Sequence, residues 1–150
     1  MDVREINENE VTNLFMCVSQ LSEYHNQVSE NFKGFYPSKP YEETLENFCA
    51  NLRKHLSHIA VIEDSSNIAG FCKVDIDILH RTGKLDYLIV LEEYRGRGYG
   101  VKLMDWAMDT FHKNNINHIE VKVIAGNEAI HLYEKYGFKV NAHILWHCEK

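Results

Sequence analysis

The sequence predicts a single domain of the α/β class, with about six to seven strands and about four helices. Three observations support this prediction. A chain of 150 residues can bury one core of its own. Its apolar residues alternate in some segments and recur every three or four residues in others, which are the periods of strands and helices. Finally, the chain contains no repeat, no low-complexity tract and no Gly/Pro/Ser-rich linker that would divide it.

The first third of the chain predicts one short strand and two helices. Asp2–Ile6 is the strand candidate, and Asn9 can cap a helix whose apolar residues recur as far as Leu21. The periodicity fails in the aromatic-rich segment Glu23–Pro40, which we interpret either as a lid on the core or as a binding wall. The second helix spans about Tyr41–Leu56.

The middle of the chain predicts a hairpin, a third strand and a long helix. The hairpin strands are Ile59–Glu63 and Ile68–Ile78, around a polar turn at residues 64–67. A strand follows at Lys84–Leu91. A helix then opens near Gly98 and ends at residues 112–115, where a cation lies near its negative terminus.

The last third predicts a strand, a short helix and two further strands. The alternation of apolar residues indicates a strand at His118–Val123. The helix Asn127–Tyr136 ends at a glycine, the usual residue just past a helix. Phe138–Val140 and His143–Cys148 are the two closing strand candidates.

Composition limits the functions that the chain can have. A formal charge of −6 argues against a nucleic-acid-binding protein, which would carry a basic stripe. No apolar run approaches the ~20 residues of a membrane span, and we expect neither a signal peptide nor a membrane partner. The four dispersed cysteines indicate free thiols in a reducing cytoplasm. The nine histidines lack ligand spacing, so we predict no metal site.

The segment Leu88–Met104 organises the rest of the chain. Four apolar residues, typical of a strand buried on both faces, lead through the turn Arg95–Gly100 into the long helix. Such a junction presents unpaired backbone N–H groups and a positive helix end, which suit a phosphate or pyrophosphate. The P-loop pattern is absent, because no Lys-Ser or Lys-Thr follows the glycines, and the dinucleotide fingerprint fails at Val101.

Two motifs resemble the signatures of the GNAT superfamily of N-acetyltransferases. Arg95, Gly98 and Gly100 match the Arg-x-x-Gly-x-Gly pattern of the acyl-coenzyme A loop of that family. The segment Asn127–Phe138 is similar to its second signature, Asn-x-x-Ala-x-x-x-Tyr-x-x-x-Gly-Phe, with every named position matched. The resemblance is good from about Ile59 onward, and before that point only the two helices match.

The resemblance implies a fold of the α+β type, built on a mixed, twisted and mostly antiparallel sheet. The parallel strands Lys84–Leu91 and His118–Val123 would splay apart around the pantetheine arm of acetyl-CoA. Carried over position by position, the cofactor-binding residues would be Leu88, Ile89, Val90, Arg95, Gly96, Arg97, Gly98, Tyr99, Gly100, Val101, Asn127 and Tyr133.

Amine chemistry assigns roles to two of these residues. A neutral amine attacks the thioester, and a backbone N–H such as that of Val90 would stabilise the developing oxyanion. The leaving thiolate needs a proton, for which we predict Tyr133 as the donor. Since an ordinary tyrosine has a pKa of about 10 and a thiol about 8.5, this role requires a modest lowering of the tyrosine pKa.

The general base remains open. Members of the family that acetylate histones carry a glutamate early on the strand before the glycine loop, and Lys84 occupies that position here. Asp86 lies two residues further on and could face the cleft or the solvent. Other members of the family use a chain of waters or take substrates that arrive partly neutral.

The acceptor is the least constrained part of the prediction. Tyr24, Phe35 and Tyr36 form a candidate aromatic wall, and Asp86 is a fourth candidate contact. Such a wall suits a small primary amine, with a peptide or protein amine as the alternative. The chain could instead bind acyl-coenzyme A as a sensor without turnover. We expect a monomer or a homodimer.

Overall fold

The computed structural model describes residues 2–149. One five-stranded sheet has the order β1-β2-β3-β4-β5. Its strands are β1 (Val3–Glu5), β2 (Ser57–Asp64), β3 (Asn67–Asp77), β4 (Thr82–Val90) and β5 (His118–Val121). The α-helices are α1 (Phe15–Val28), α2 (Tyr41–Arg53), α3 (Tyr99–Lys113) and α4 (Ile130–Lys135).

The sheet is mixed and mostly antiparallel, as predicted. Strands β1 to β4 pair antiparallel with their neighbours, whereas β4 and β5 run parallel. A parallel neighbour requires a crossover connection, which α3 supplies between these two strands. The α/β prediction is therefore confirmed, although the described sheet has five strands where six to seven were expected.

Helices cover both faces of the sheet. On one face, residues of a short 3-10 helix before α1, of α1 and of α2 pack on Phe71 and Ile89 of the sheet; among them are Leu14, Val18 and Phe48. On the other face, α3 and Tyr133 of α4 pack against a second set of strand residues. The members of this second core include Ile62, Cys72, Val74, Leu85, Leu103, Met104 and Phe111.

The first helical segment differs from the prediction at both ends. A 3-10 helix at Glu8–Leu14 precedes α1, and its cap is Asn7, whose side-chain oxygen accepts from the N–H of Asn9 at 2.9 Å. Helix α1 then continues to Val28. The last turns of α1 contact the following loop, where His25 and Asn26 pack on and bond to Tyr36. The helix therefore continues beyond Leu21, the last of the regularly spaced apolar residues.

The two C-terminal strand predictions are wrong. Residues 138–149 form no strand, and the apolar side chains of Val140, Ile144 and Leu145 are 64%, 64% and 90% exposed. Instead, Trp146 packs edge-on against Phe32, with ring centroids 5.0 Å apart. Alternating apolar residues favour a strand only where a sheet edge supplies hydrogen bonds, and here the aromatic contact holds the segment elsewhere.

The remaining elements agree with the sequence within a few residues. Strand β5 ends at Val121 and α4 begins at Ile130, so both are shorter than predicted. The chain leaves α4 through Gly137, at a φ of 92°, as its position past the helix suggested. Within residues 2–149, no helix has the length and apolar composition needed to cross a bilayer, and no group of metal-ligating side chains was found.

Candidate active site

Strands β4 and β5 separate halfway along β4. Their parallel pairing runs from Thr82 opposite His118 to Leu85 opposite Val121 and stops there. Leu91 donates its N–H to Ala69 on β3 at 2.8 Å, so by the two-residue period Ile89 also bonds toward β3. The backbone groups of Leu88 and Val90 therefore face the gap that the departure of β5 leaves.

The glycine loop lies between the end of β4 and the start of α3. Gly96 and Gly98 have φ values of 81° and 82°, in the left-handed region that glycine adopts without strain. Gly98 is the N-cap of α3 and provides no side-chain cap for the first N–H groups of the helix. A Cβ atom at Gly96 or Gly98 would meet no atom within 4 Å, so the loop backbone is open to a ligand.

Asp64 fixes the two residues that flank Gly98. One oxygen of Asp64, the last residue of β2, accepts from the Arg97 guanidinium and from the Tyr99 hydroxyl, each at 2.7 Å. These two donors, the hydroxyl of Tyr99 first, hold the pKa of the Asp64 carboxyl below its ordinary value. Asp64 therefore stays ionised and ties the loop to the hairpin.

Arg95 joins the loop to the end of β4 and to α1. Its Nε donates to the carbonyl oxygen of Val90 at 3.1 Å, which occupies one of the backbone groups that face the gap. The guanidinium carbon lies 5.0 Å from the ring centroid of Tyr24, within the range of a cation–π contact. Arg95, which was predicted to bind the cofactor, thus contacts Tyr24, which was predicted to bind the acceptor.

Tyr133 lies in the core beside the gap. Its side chain is 7% exposed and belongs to the cluster that also contains Leu88 and Val90. Its hydroxyl has no hydrogen bond to any other residue of the described chain. Burial, and then the neighbouring thiol of Cys72, raise the pKa of Tyr133 to about 12. The lowering of this pKa that the proton-donor role was expected to require is not found.

The side chain of Asn127 bonds to the backbone of the turn before α4. Its side-chain oxygen accepts from the N–H of Ala129 at 2.9 Å. The preceding turn is attached to the segment after α1, because Glu30 donates its N–H to Ala125 at 3.2 Å. Gly126 lies against the carbonyl of Val28 so closely that a Cβ atom could not be accommodated. Through these contacts, the segment between β5 and α4 is joined to the end of α1 and to the loop that follows it.

The predicted aromatic residues belong to one cluster with Trp146. Tyr36 contacts His25 and Trp146 with ring centroids 5.3 Å and 6.1 Å apart, and Phe35 contacts Phe32 at 5.3 Å. Burial lowers the pKa of His25, so its ring favours the neutral form.

Asp86 belongs to a different cluster, built around a buried lysine. Lys73 lies at the centre of β3, with a side chain 2% exposed, and its ammonium contacts Asp75 at 2.6 Å and Asp86 at 2.7 Å. The hydroxyl of Ser57 donates to the same oxygen of Asp75 at 2.6 Å. A register shift between β3 and β4 makes Asp86 an extra residue in β4, at the point where β5 leaves. Asp86 is thus the counter-ion of Lys73.

The structure brings most of the predicted cofactor residues together along the gap and the glycine loop. Sequence reasoning missed Asp64, Lys73 and Trp146. Asp64 occupies a hairpin turn, where an aspartate is ordinary. Lys73 did carry a signal, since a lysine between the apolar residues Cys72 and Val74 at the centre of a strand requires a partner if it is buried.

Comparison with known proteins places the chain among acyl-group transferases. The family model for acetyltransferases of the GNAT family matches residues 21–138. A spermidine N(1)-acetyltransferase of Vibrio cholerae is 27% identical over 124 residues, which are 78% of this chain and 71% of that protein. N-alpha-acetyltransferase 30 of Schizosaccharomyces pombe is 28% identical over 106 residues, which are 67% of this chain and 69% of that protein.

A solved structure agrees with the fold. PaiA N-acetyltransferase from Thermoplasma acidophilum, crystallised in complex with coenzyme A, superimposes with a TM-score of 0.74 at 21% identity. The superposition covers 93% of this chain and 90% of that chain. The family model spans most of the sequence, including both motifs and the strands that separate. The chain therefore belongs to the acetyltransferase (GNAT) family.

Proposed function

We propose that this GNAT acetyltransferase transfers an acetyl group from acetyl-CoA to a primary amine of a small molecule, by direct attack in a ternary complex. The observation that carries the proposal is the separation of β4 from β5 next to a glycine loop that opens α3. The gap offers backbone hydrogen-bonding groups to a linear amide-containing arm. The loop offers N–H groups and a positive helix end to a pyrophosphate.

The backbone positions divide the work of binding acetyl-CoA. Leu88 and Val90 face the gap and would pair with the pantetheine amides, whereas Ile89 is turned toward β3 and would hold the strand in register. The N–H groups between Arg95 and Val101 would bind the pyrophosphate. The open space beside Gly96 and Gly98 supports this assignment. For Asn127, a contact with the cofactor arm remains part of the proposal.

The reaction joins the amine nitrogen to the acetyl carbon and breaks the carbon–sulfur bond. Negative charge develops first on the carbonyl oxygen, and the N–H of Val90 would stabilise it. Negative charge then develops on the departing sulfur, to which the hydroxyl of Tyr133 would donate a hydrogen bond. The nitrogen loses one proton in the course of the reaction, and the thiolate gains one.

The raised pKa of Tyr133 shapes its part in the reaction. With a pKa of about 12, the phenol stays protonated at every physiological pH and is always able to donate a hydrogen bond. Full transfer of its proton to a free thiolate, whose pKa is about 8.5, would be uphill by roughly 5 kcal/mol. We therefore assign Tyr133 the role of a hydrogen-bond donor to the developing thiolate, with the proton itself reaching sulfur through solvent or through the departing product.

We assign no residue as general base. Lys84 is half exposed, and its ammonium lies 3.8 Å from Asp86. Asp86 already accepts from the ammonium of Lys73 at 2.7 Å, so its carboxylate is engaged in that ion pair. Direct loss of the amine proton to water agrees best with this arrangement.

Both candidate acceptors are amines. A small amine is favoured by the compact aromatic cluster around Tyr36 and by the similarity to a spermidine N(1)-acetyltransferase. A peptide amine is the alternative, supported by the similarity to N-alpha-acetyltransferase 30.

A free-thiol assay with acetyl-CoA and a panel of amines and peptides tests the proposal. We expect thiol release that depends on a small primary amine, with acetylated amine detected by mass spectrometry. Binding of acetyl-CoA without turnover of any amine would instead favour the sensor alternative. Turnover of peptides alone would reject the small-molecule assignment.

A further inference from the structure

A polar groove of about 420 Å³ lies between α2 and the strands β3 and β4. Helix α2 lines it with Thr44, Asn47, Asn51 and Lys54, which recur at intervals of three and four residues and so form one stripe. The floor is made by Asp86, Tyr87 and the buried Lys73 cluster. Its volume lies within the range of small-ligand sites, about 300–1,000 Å³.

The groove is positively charged although the chain as a whole is acidic. Its charged lining consists of four lysines and two aspartates, a formal charge of +2, against −6 for the whole chain. Both aspartates bind Lys73, which leaves the excess positive charge at the rim. The rim lysines are Lys39, Lys54 and Lys84, all exposed. Neither Lys39 nor Lys54 has an ion pair with any residue between 2 and 149.

The groove adjoins the place where the acyl group would be transferred. Asp86 and Tyr87 of its floor immediately precede Leu88, whose backbone faces the gap. The bulge in β4 lies at the same residues, directly after the last pair with β5. A ligand in the groove can therefore extend a reactive end toward the gap while its other end stays among the lysines.

We infer that the groove binds the acceptor, and that the acceptor is an amine which also carries a carboxylate. The inference rests on the proposed function and specifies its substrate class. The rim lysines attract the carboxylate, and the amide and hydroxyl groups of Asn47, Asn51 and Thr44 offer it hydrogen bonds. An acceptor with two ammonium groups meets a field of its own sign and is disfavoured. The similarity to a spermidine N(1)-acetyltransferase therefore supports a small amine as the acceptor, but not a polyamine.

Three amines of matched length test the inference. They are 5-aminopentanoate, 5-aminopentanamide and 1,5-diaminopentane, which end in a carboxylate, a neutral amide and an ammonium group. The free-thiol assay gives kcat/KM for each with saturating acetyl-CoA. We expect the carboxylate compound to be the best acceptor and the diamine the poorest. A short peptide with an acidic second residue is added, and its preference over 5-aminopentanoate would assign the carboxylate to a peptide.

Neutral substitutions of the rim lysines identify the groove as the site. Lys54→Gln and Lys84→Gln should each raise KM for 5-aminopentanoate about twofold to fivefold, the range expected of a partly exposed ion pair. KM for 5-aminopentanamide should stay unchanged. Lys113→Gln, at the exposed end of α3 on the other face of the sheet, removes the same charge and serves as the control. Thermal unfolding verifies that all variants fold.

Two results would overturn the inference. One is a diamine preferred over the carboxylate compound, and the other is a KM for 5-aminopentanoate that the two lysine substitutions leave unchanged. If no amine turns over, the proposed function fails, and calorimetry with coenzyme A bound decides the groove separately. Binding of 5-aminopentanoate that weakens in Lys54→Gln supports the groove, whereas absence of binding rejects it.

Discussion

The hydroxyl of Tyr133 shows how one atom can be tested without disturbing the fold. Tyr133→Phe removes only the oxygen and leaves the ring in its contact with Phe138, at a centroid distance of 6.1 Å. We expect kcat to fall about 10²-fold, the scale for removing one hydrogen-bond donor to a developing negative charge. Single-turnover kinetics, in which chemistry is observed directly, provide the measurement.

Tyr136→Phe is the matched control for Tyr133. Tyr136 lies three residues further on, just past α4, and its hydroxyl donates to Asp105 of α3 at 2.8 Å. Its loss should leave kcat within about twofold, since a hydrogen bond remote from the reacting atoms does not change between ground and transition state. An equal effect of both substitutions would return Tyr133 to a purely structural role.

Asp64 offers a second test at the scale of single residues. Asp64→Asn weakens the attachment of Arg97 and Tyr99 to the hairpin, so the N–H groups around Gly98 lose their fixed geometry. We expect the Kd of acetyl-CoA to rise about threefold to tenfold with kcat unchanged, because the loop positions the co-substrate without touching the reacting atoms. Isothermal titration and steady-state kinetics measure the two quantities.

Asp77→Asn is the control for Asp64. Asp77 also accepts from a basic side chain, that of His80 at 2.8 Å, but at the opposite end of β3. Asp77→Asn should leave the Kd of acetyl-CoA unchanged. Tighter binding in Asp64→Asn would contradict the positioning role, because it would mean that Arg97 serves the phosphates better once Asp64 releases it.

Residues whose identity follows from the backbone were predictable, and residues that depend on a distant partner were not. The glycines of the loop could be located because only glycine adopts a φ near 82° without strain beside an open site. The attachment of Asp64 to Arg97 joins residues 33 positions apart. The pKa of Tyr133 depends on burial that the local sequence does not encode. Such properties require the packed structure.

At the scale of elements, the side chain of Asn26 makes three hydrogen bonds to the backbone of the loop between α1 and α2. The amide of Asn26 accepts from the N–H groups of Gly34 and Tyr36, at 2.8 and 3.0 Å, and donates to the carbonyl of Tyr36 at 2.8 Å. Asn26→Ala leaves these backbone groups without their partner. We expect the free energy of unfolding to fall by about 1–3 kcal/mol and the KM of the acceptor to rise. Urea unfolding and steady-state kinetics measure both.

Asn26→Asp provides a graded control. A carboxylate still accepts from the two N–H groups but cannot donate to Tyr36, so its effect should fall between wild type and Asn26→Ala. If Asn26→Ala destabilises the protein while the acceptor KM does not change, the loop supports the fold only and the aromatic wall is not part of the acceptor site.

The elements also show where periodicity predicts structure and where it fails. The hairpin of β2 and β3 was predictable because both its strands and its turn are continuous in sequence. The segment after Gly137 has similar alternation, yet Trp146 packs on Phe32, more than 100 residues earlier. A strand forms only where the edge of a sheet is available to pair with it, so the same alternation of apolar residues gave a strand in one segment and none in the other.

At the scale of the whole molecule, buried cysteine thiols make the free energy of unfolding fall at alkaline pH. Burial raises the pKa of Cys17 from 9.0 to about 12 and that of Cys72 also upward. Above pH 9 the unfolded chain loses these protons while the native protein keeps them, so the free energy of unfolding falls as pH rises. The loss should reach about 1.4 kcal/mol per group for each pH unit.

Urea unfolding between pH 7 and 11 measures this dependence. Stability should be level near pH 7 and should decline from about pH 9, steepening above pH 10 as Tyr133 begins to contribute. Cys17→Ala should be less stable at pH 7, because it leaves a small cavity, but should show a shallower decline. A decline equally steep in Cys17→Ala would contradict the assignment to the buried thiol.

The central claim is that the loop around Gly98 binds the pyrophosphate of acetyl-CoA, and a calorimetric titration of three proteins tests it most directly. Gly98→Asn and Gly98→Asp have side chains of equal size, both tolerated at positive φ, that differ only in charge. We predict that acetyl-CoA binds the wild type, binds Gly98→Asn more weakly because its side chain fills part of the open space, and fails to bind Gly98→Asp. Equal affinity in all three proteins would contradict the claim.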